Sequence, residues 1–440
     1  MDLLTSCIRA DGEYAQLLAA VRAAFRDKPL PLLANGLCEG ATEAFMTSLI
    51  EDVCTKAAPD GGVSRTGRRR CALIVCPEEK DCVRLRQTLE RFGLRAAFYT
   101  PRDLSFYNVT ASHEYEHERM RVLSGLAAGT LDAVITTPDA ALSYTVPPDV
   151  LRAASVRLDF HTPVDPGTLA ERLVAAGYNR VDLVEGAGQF AVRGGIIDVF
   201  APFGTYIDDE GELRAGSYPL RVELFGDEID RMGLFDPETQ RMTCAVDEAE
   251  LLPSREVLTD AAGLERLAAA IAAQRKSARS DEARRTLAEE AAAVAAARAE
   301  QTPTGAGLHF LDRYIRLVYP EPACLLDYFP ERTLFLIRSN AAVQALTAEE
   351  IAQIEKLVNE QVVSLCESGL LAGKYAEFAR PAAAFERFLE SNVTVHVDSL
   401  SYGMSGRRLG GIFGFRTRHM VSYADNLRLL CEDVTRYREG

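Results

Sequence analysis

Two rhythms in the sequence predict an α/β fold with a β-rich insertion. Up to about residue 154, short apolar runs alternate with amphipathic stretches of helical length, the pattern of a parallel sheet flanked by helices. From Ser155 the pattern changes to alternating runs punctuated by glycine, as antiparallel strands require. Helical stretches then return, so the middle segment reads as an insertion. The expected divisions are 1–154 for the first part of the α/β domain and 155–246 for the insert. Residues 247–418 are the return to the α/β domain with helical additions, and 419–440 the start of a further domain.

The elements follow in order. Residues 1–30 read as one helix, with Leu17, Leu18, Val21 and Phe25 on a face and Pro29 and Pro31 stopping it. Pro31–Ala34 is a short strand, Asn35–Thr42 a turn, and a helix runs from there to about Cys54. Ala57–Arg70 is a polar loop with Arg68–Arg70 at its solvated end. Cys71–Cys76 is a buried strand by length and branching, Glu79–Phe92 a helix, Ala96–Tyr99 a strand, Glu114–Ala128 a helix and Ala133–Thr136 a strand. In the insert, a helix at Pro166–Ala176 precedes Gly177–Pro202, which reads as a strand, a turn at Gly186 and Gly188, and a second strand over Phe190–Phe200. Leu220–Phe225 is a third strand. Ala261–Gln301 reads as a helix pair broken near Ser277–Ser280, and Leu308–Leu317 as helix. Leu325–Phe329 is a helix end and Thr333–Ile337 a strand closing the first sheet. Glu349–Gly369 and Pro381–Glu390 are helical, Val393–Val397 is a strand, and Asn426–Arg438 is helical. With that helix running to Gly440, the sequence reads as a fragment of a longer protein.

Composition narrows the function classes. A hydrophobic share of 48% supports a sizeable core. No run of about 18 apolar residues exists, and the N-terminus lacks the basic-then-apolar layout of a signal peptide, so no membrane contact is expected. Ten cysteines without CxxC spacing suit a reducing, cytoplasmic setting. The net charge of −15 disfavours non-specific DNA binding, which needs clustered Lys and Arg, and directs attention to protein partners. Between Ser155 and Val246 there are eight Arg and no Lys. The planar guanidinium suits interface ion pairs, although a genome-wide bias toward Arg explains the pattern as well.

Four stretches have the form of sites. Asn35–Thr42, NGLCEGAT, stands where a phosphate-binding GxxxxGK[ST] turn would follow the first strand. Gly40 and Thr42 fit that pattern. Asn35 replaces the first glycine and Ala41 the lysine, so the main counter-charge for phosphate is missing. His113–His117, HEYEH, is a literal HExxH, but no third zinc ligand follows at the expected spacing. Gly186–Ala191, GAGQFA, imitates a dinucleotide fingerprint, yet a strand pattern follows where a helix is needed. Arg180 and Arg193 lie in the insert's hairpin segment, where they would project from one face toward a partner's carboxylates or pair with Asp182 and Asp198. Phe200 would flank the same surface or fill the core.

The hairpin segment, the strand PLRVELFGDEIDRMGLFDPETQR and the decayed turn together resemble the UvrB family and the N-terminal module of the transcription-repair coupling factor family. The resemblance implies a degenerate RecA-like, P-loop-type sheet domain carrying a UvrB-like α+β insert that grips the excinuclease subunit UvrA. It places Arg180, within Tyr178–Asp182, and Arg193, within Val192–Gly194, on UvrA-contact positions, while Ala191 stands where UvrB tends to carry another Arg. The segment between Tyr107 and Glu114 is too short for UvrB's lesion-clamping aromatic hairpin, which favours the coupling factors. For them the resemblance implies a role in DNA repair: recruiting UvrA in competition with UvrB, through a surface masked by a C-terminal domain. It further implies that RNA polymerase and double-stranded DNA are engaged by domains beyond this chain, that ATP and magnesium serve a translocase motor there, and that this part is non-catalytic and holds no cofactor. The alternatives are a UvrB-like damage-binding ATPase, opposed by Ala41, and a zinc peptidase, opposed by the absent ligand.

Overall fold

The computed structural model describes residues 2–26, 30–55, 70–102, 114–300, 305, 307–330, 332–339, 362–381, 383–398 and 408–418, with a few positions between 428 and 436. Outside these fall His113, Tyr107, Arg68 and Arg69, the start of the Glu349–Gly369 helix and most of the Asn426–Arg438 helix.

Seven short strands form a wholly parallel sheet. They are β1 (Leu32–Asn35), β2 (Ala72–Val75), β3 (Ala96–Tyr99), β4 (Ala133–Thr136) and, after the seven strands of the insert, β12 (Leu334–Ser339), β13 (Val393–Asp398) and β14 (Gly411–Gly414). Their order is β14-β1-β13-β12-β2-β4-β3. Helices cover both faces, which is why β2, β3 and β4 are buried and mostly apolar, while β13, VTVHVD, alternates in sequence yet buries Thr394 and His396 as well. Leu73, Val75, Val134, Phe335 and Ile337 enter one core, while Ala72, Ile74, Ile135, Leu334 and Leu336 enter the other. The strand at Leu334 does not close this sheet. It lies in its middle, paired with Leu73–Val75 on one side and the 393–398 strand on the other, while β14, which the sequence did not suggest, is one edge.

The single helix expected over residues 1–30 is two, Asp2–Ala10 and Gly12–Ala24. Asp11 makes the break, because its side chain accepts from the Glu13 amide at 2.8 Å and caps the second helix. Arg70 is not a solvated loop end: it donates to the Val53 carbonyl at 3.2 Å and stacks on the Phe25 ring at 4.6 Å. The Ala-rich stretch is the expected pair, Ala261–Ser277 and Asp281–Arg298, with Ser280 capping the second helix and Leu264, Leu267, Ile271, Leu287 and Val294 buried. The Leu308–Leu317 helix is instead a 3₁₀ turn, Leu311–Tyr314, running into a single α-turn, Ile315–Val318.

The second sheet comprises β5 (Val156–Asp159), β6 (Asn179–Arg180), β7 (Gln189–Arg193), β8 (Ile196–Asp208), β9 (Leu213–Phe225), β10 (Glu228–Phe235) and β11 (Met242–Leu251). Neighbours run β5-β11-β10-β9-β8-β7-β6, and β11 also pairs with β8, so strands β8 to β11 form a closed ring. The bend that closes it lies between Ala201 and Gly204, where the β8–β9 register shifts. A Cβ at Gly204 would stand 2.3 Å from the Glu250 carbonyl oxygen, so only glycine lets the strands approach this closely. The expected edge of the insert at Val246 falls inside β11, whose Leu251 pairs with both Val156 and Gly204.

The hairpin is real but turns elsewhere than expected. Phe190–Phe200 is not one strand; β7 and β8 fold back at Gly194–Gly195 with Arg193 opposite Ile196. Gly194 has φ +62°, the left-handed conformation a two-residue hairpin turn demands. The loop containing Gly186 and Gly188 instead returns β6 alongside β7 in parallel, with Asn179 opposite Gln189.

A buried ion network fastens the insert's exit to the first domain. Glu256 receives Arg119 at 2.9 Å and Arg102 at 2.8 Å, Arg102 reaches Asp312 at 3.2 Å, and Arg255 pairs with Glu116 at 3.0 Å. Burial pushes the Glu256 carboxyl upward, but the Arg102 and Arg119 guanidiniums outweigh it and hold the group below the usual carboxylate range.

Candidate partner-binding face and the turn after the first strand

The turn after β1 has P-loop topology: strand, glycine-containing turn, then the helix Ala41–Cys54. Its polar groups, however, are satisfied from within. Gly40, at φ +85°, donates its N–H to a Glu43 carboxylate oxygen at 2.7 Å, and the other oxygen receives Arg338 at 2.9 Å. The Cys38 N–H goes to the Thr417 hydroxyl at 2.7 Å, which in turn donates to the Gly36 carbonyl at 2.8 Å. Thr42, whose hydroxyl would meet magnesium in a working P-loop, donates back to the Cys38 carbonyl at 3.1 Å. Behind the turn the chain is in contact: a Cβ at Gly36 would fall 2.2 Å from the Phe415 carbonyl oxygen, and the Phe415 N–H bonds Asn35. With Ala41 carrying no cation and Glu43 supplying a buried carboxylate, Asn35, Gly40, Ala41 and Thr42 are brought together but do not fit a triphosphate.

The outer face of the insert's sheet is built by strand alternation. Along β8, Ile197, Val199 and Ala201 enter the core beneath, so Asp198 and Phe200 face the other way. Asp198 is fully buried there between two arginines. Arg221, from β9, reaches its two oxygens at 2.6 and 2.9 Å, also donates to the Gln240 carbonyl at 2.8 Å, and lies over the Phe235 ring at 5.0 Å. Arg193 donates to the same carboxylate from the hairpin tip and keeps 42% of its side chain exposed. A carboxylate between two guanidiniums leaves a surplus positive charge at the surface. The hydrogen bond from Arg221 to Asp198 raises the Arg221 pKa further.

Phe200 is half-buried and packs with Val181, Val184, Ala191 and Phe235 in a small cluster on this outer face, so it borders the arginines without standing free. Arg180 is exposed on β6 and forms no ion pair with Asp182 among the described residues. Its register partner is Phe190, a core-facing residue, whereas Arg193 lies an odd number of positions further along the same strand. Arg180 and Arg193 therefore leave the sheet on opposite sides, not on the one face expected. The period-two rule gives this once β6 is known to pair in parallel, which the sequence alone did not reveal. Arg221 was the residue that sequence reading passed over. An Asp inside the apolar run IIDVF is a signal that a buried cation must exist, but not which strand supplies it.

The remaining motifs dissolve into structure. Glu116 of the HEYEH stretch accepts from the Glu256 amide at 2.7 Å and pairs with Arg255, and His117 faces Gly188 of the insert. No group of three or more His, Cys, Asp or Glu side chains able to hold a metal occurs among the described residues. GAGQFA runs into β7, not into a helix. No helix among the described residues is long and apolar enough to cross a membrane.

Residues 156–256, the span that contains this face, match the family described as the UvrB interaction domain. Over 345 residues the chain is 26% identical to the transcription-repair-coupling factor of Bacillus subtilis (strain 168), covering 75% of this chain and 26% of that protein. The coupling factor of Myxococcus xanthus is 38% identical over 142 residues, covering 32% of this chain and 11% of the relative, and that of Haemophilus influenzae is 25% identical over 274 residues, covering 62% and 22%. The chain thus spans at most about a quarter of the length of these relatives (26%, 11% and 22%). With a match to the UvrB interaction domain at its centre and similarity to coupling factors over up to three quarters of its length, the chain is similar to members of the transcription-repair-coupling factor family.

Proposed function

We propose that this chain is the UvrA-recruiting part of a transcription-repair coupling factor, acting in cytoplasmic nucleotide excision repair. The observation that carries the reading is the outer face of the insert, where Arg193 stands half-exposed on a carboxylate already neutralised by Arg221. A planar cation held in place by a buried acid is preorganised for a partner's carboxylate, and Arg is favoured at interface hot spots. Phe200 and its cluster give that cation an apolar flank, while Arg180, on the other side of the sheet edge, serves a separate part of the contact. The working unit is the insert, from residue 155 to the end of β11, carried on the parallel-sheet domain.

Catalysis is not assigned to this chain. The turn after β1 offers ATP neither a lysine nor free amides at Cys38 and Gly40, so ATP and magnesium act in the translocase motor of the full-length family protein, which also engages RNA polymerase and double-stranded DNA. The UvrB-like ATPase and the zinc peptidase are not favoured. The test is capture of purified UvrA by the chain without nucleotide, in competition with UvrB. Binding that UvrB displaces supports the reading; failure to bind under conditions where UvrB binds refutes it.

A further inference from the structure

A groove of about 910 Å³ opens where the first domain, the insert and the return segment meet, away from Asp198 and from the turn after β1. Its floor is apolar, made by Val150, Leu258, Val318 and the Tyr319 ring. That floor is fixed in advance. The Tyr319 hydroxyl accepts from the Leu258 N–H at 2.8 Å and donates to the Glu256 carbonyl at 3.2 Å, tying the groove to the buried ion network. Its rim is exposed and charged, with Asp149, Asp260 and Glu321 against Arg266 alone. Asp260 also caps the Ala261–Ser277 helix, accepting from the Gly263 N–H at 2.8 Å. Asp149, Glu321 and Arg266 form no ion pair among the described residues, so the rim keeps an excess of two negative charges.

We propose that this groove is a second docking site, for a cationic peptide segment of a protein partner: one large aliphatic side chain seated on the floor, flanked by Lys or Arg that meet the rim carboxylates. The volume suits a few residues of extended chain, and a preformed floor spares the ordering cost of binding. The rim charges supply selectivity and the floor supplies the apolar anchor, so both must be present in a ligand.

The experiment titrates the whole chain with a fluorescein-labelled, end-blocked Lys-Leu-Lys peptide and reads polarisation at low salt. Lys-Ser-Lys and Glu-Leu-Glu peptides serve as controls. Saturable binding of Lys-Leu-Lys is expected, with both controls weaker and with a loss of about tenfold in the Asp149→Lys/Glu321→Lys variant, two exposed positions whose reversal leaves the fold intact. Circular dichroism checks that fold. Equal binding of Lys-Ser-Lys would overturn the proposal, because attraction to a chain of net charge −15 would then suffice. An unchanged affinity in the folded double variant, or no binding of Lys-Leu-Lys at all, would overturn it too. None of these outcomes involves the Arg193 face, so the two sites stand or fall separately.

Discussion

The turn after β1 and the outer face of the insert are both assembled around one sheltered carboxylate, and they end in opposite states. At the turn, Glu43 meets one guanidinium, Arg338, and one amide, Gly40, and the cluster closes on itself. On the face, Asp198 meets two guanidiniums, and the second has nowhere to go but outward. The difference teaches that a charged cluster presents a cation to its surroundings when the buried charge is over-compensated. Counting cations against carboxylates is more telling than the presence of either.

The comparison breaks most severely at Asp198. Asp198→Asn leaves Arg221, only 13% exposed, facing a neutral amide. Removing one partner of a buried pair costs about 3 kcal/mol or more, so urea denaturation should show a clearly lower midpoint, and UvrA capture should fail together with the fold. An unchanged midpoint would mean that Arg221 is compensated by groups other than Asp198.

Glu43→Ala is the matching change at the turn, and a smaller loss is expected, about 1–3 kcal/mol for a buried hydrogen-bonded acceptor. Here Arg338 keeps a path to solvent, being 21% exposed. Chemical denaturation of the two variants side by side measures the contrast. A larger loss at Glu43 than at Asp198 would reverse the ranking and the argument with it.

Arg193→Ala separates binding from folding. Arg221 still holds both oxygens of Asp198 in that variant, so stability should fall by no more than about 1 kcal/mol. Affinity for UvrA should drop by about thirtyfold if Arg193 is a hot spot. Calorimetry against UvrA and a melting curve together decide it; a large melting shift would make Arg193 a structural residue.

The first half of the parallel sheet was legible because β1 to β4 are short, mostly apolar and separated by helices of ordinary length, and each stands within a residue of where the sequence put it, whereas β12 was expected at an edge and β14 was not expected at all. The insert was legible as β-rich but not in its turns. Gly194-Gly195 is itself a two-residue hairpin signal, but Gly186 and Gly188 offer a competing glycine turn a few residues earlier, and the sequence reading gave the turn to that pair. The two-residue β6 was too short to announce its direction, and with it went the facing of Arg180. The closed turn at Asn35–Thr42 was half legible: Ala41 told of a missing cation. Glu43, two residues later, and Thr417, far along the chain, had to be seen in place before their roles were evident.

The smallest effect is expected from Ala41→Lys, which restores the one residue that reading by motif would blame for the decayed site. If a missing ammonium were the whole defect, the variant would gain ATP affinity. The geometry says otherwise. The Gly40 amide is held by Glu43 and the Cys38 amide by Thr417, so the amides that would cradle a phosphate are spent, and the Glu43 carboxylate repels an incoming anion. At the first position of a helix, a partly exposed Lys for Ala should also change stability by no more than about 0.5 kcal/mol. The variant should therefore melt like the parent, with or without millimolar Mg-ATP. A nucleotide-dependent rise in its melting temperature would show that the turn opens readily, and that its inward hydrogen bonds are a resting arrangement instead of a permanent one.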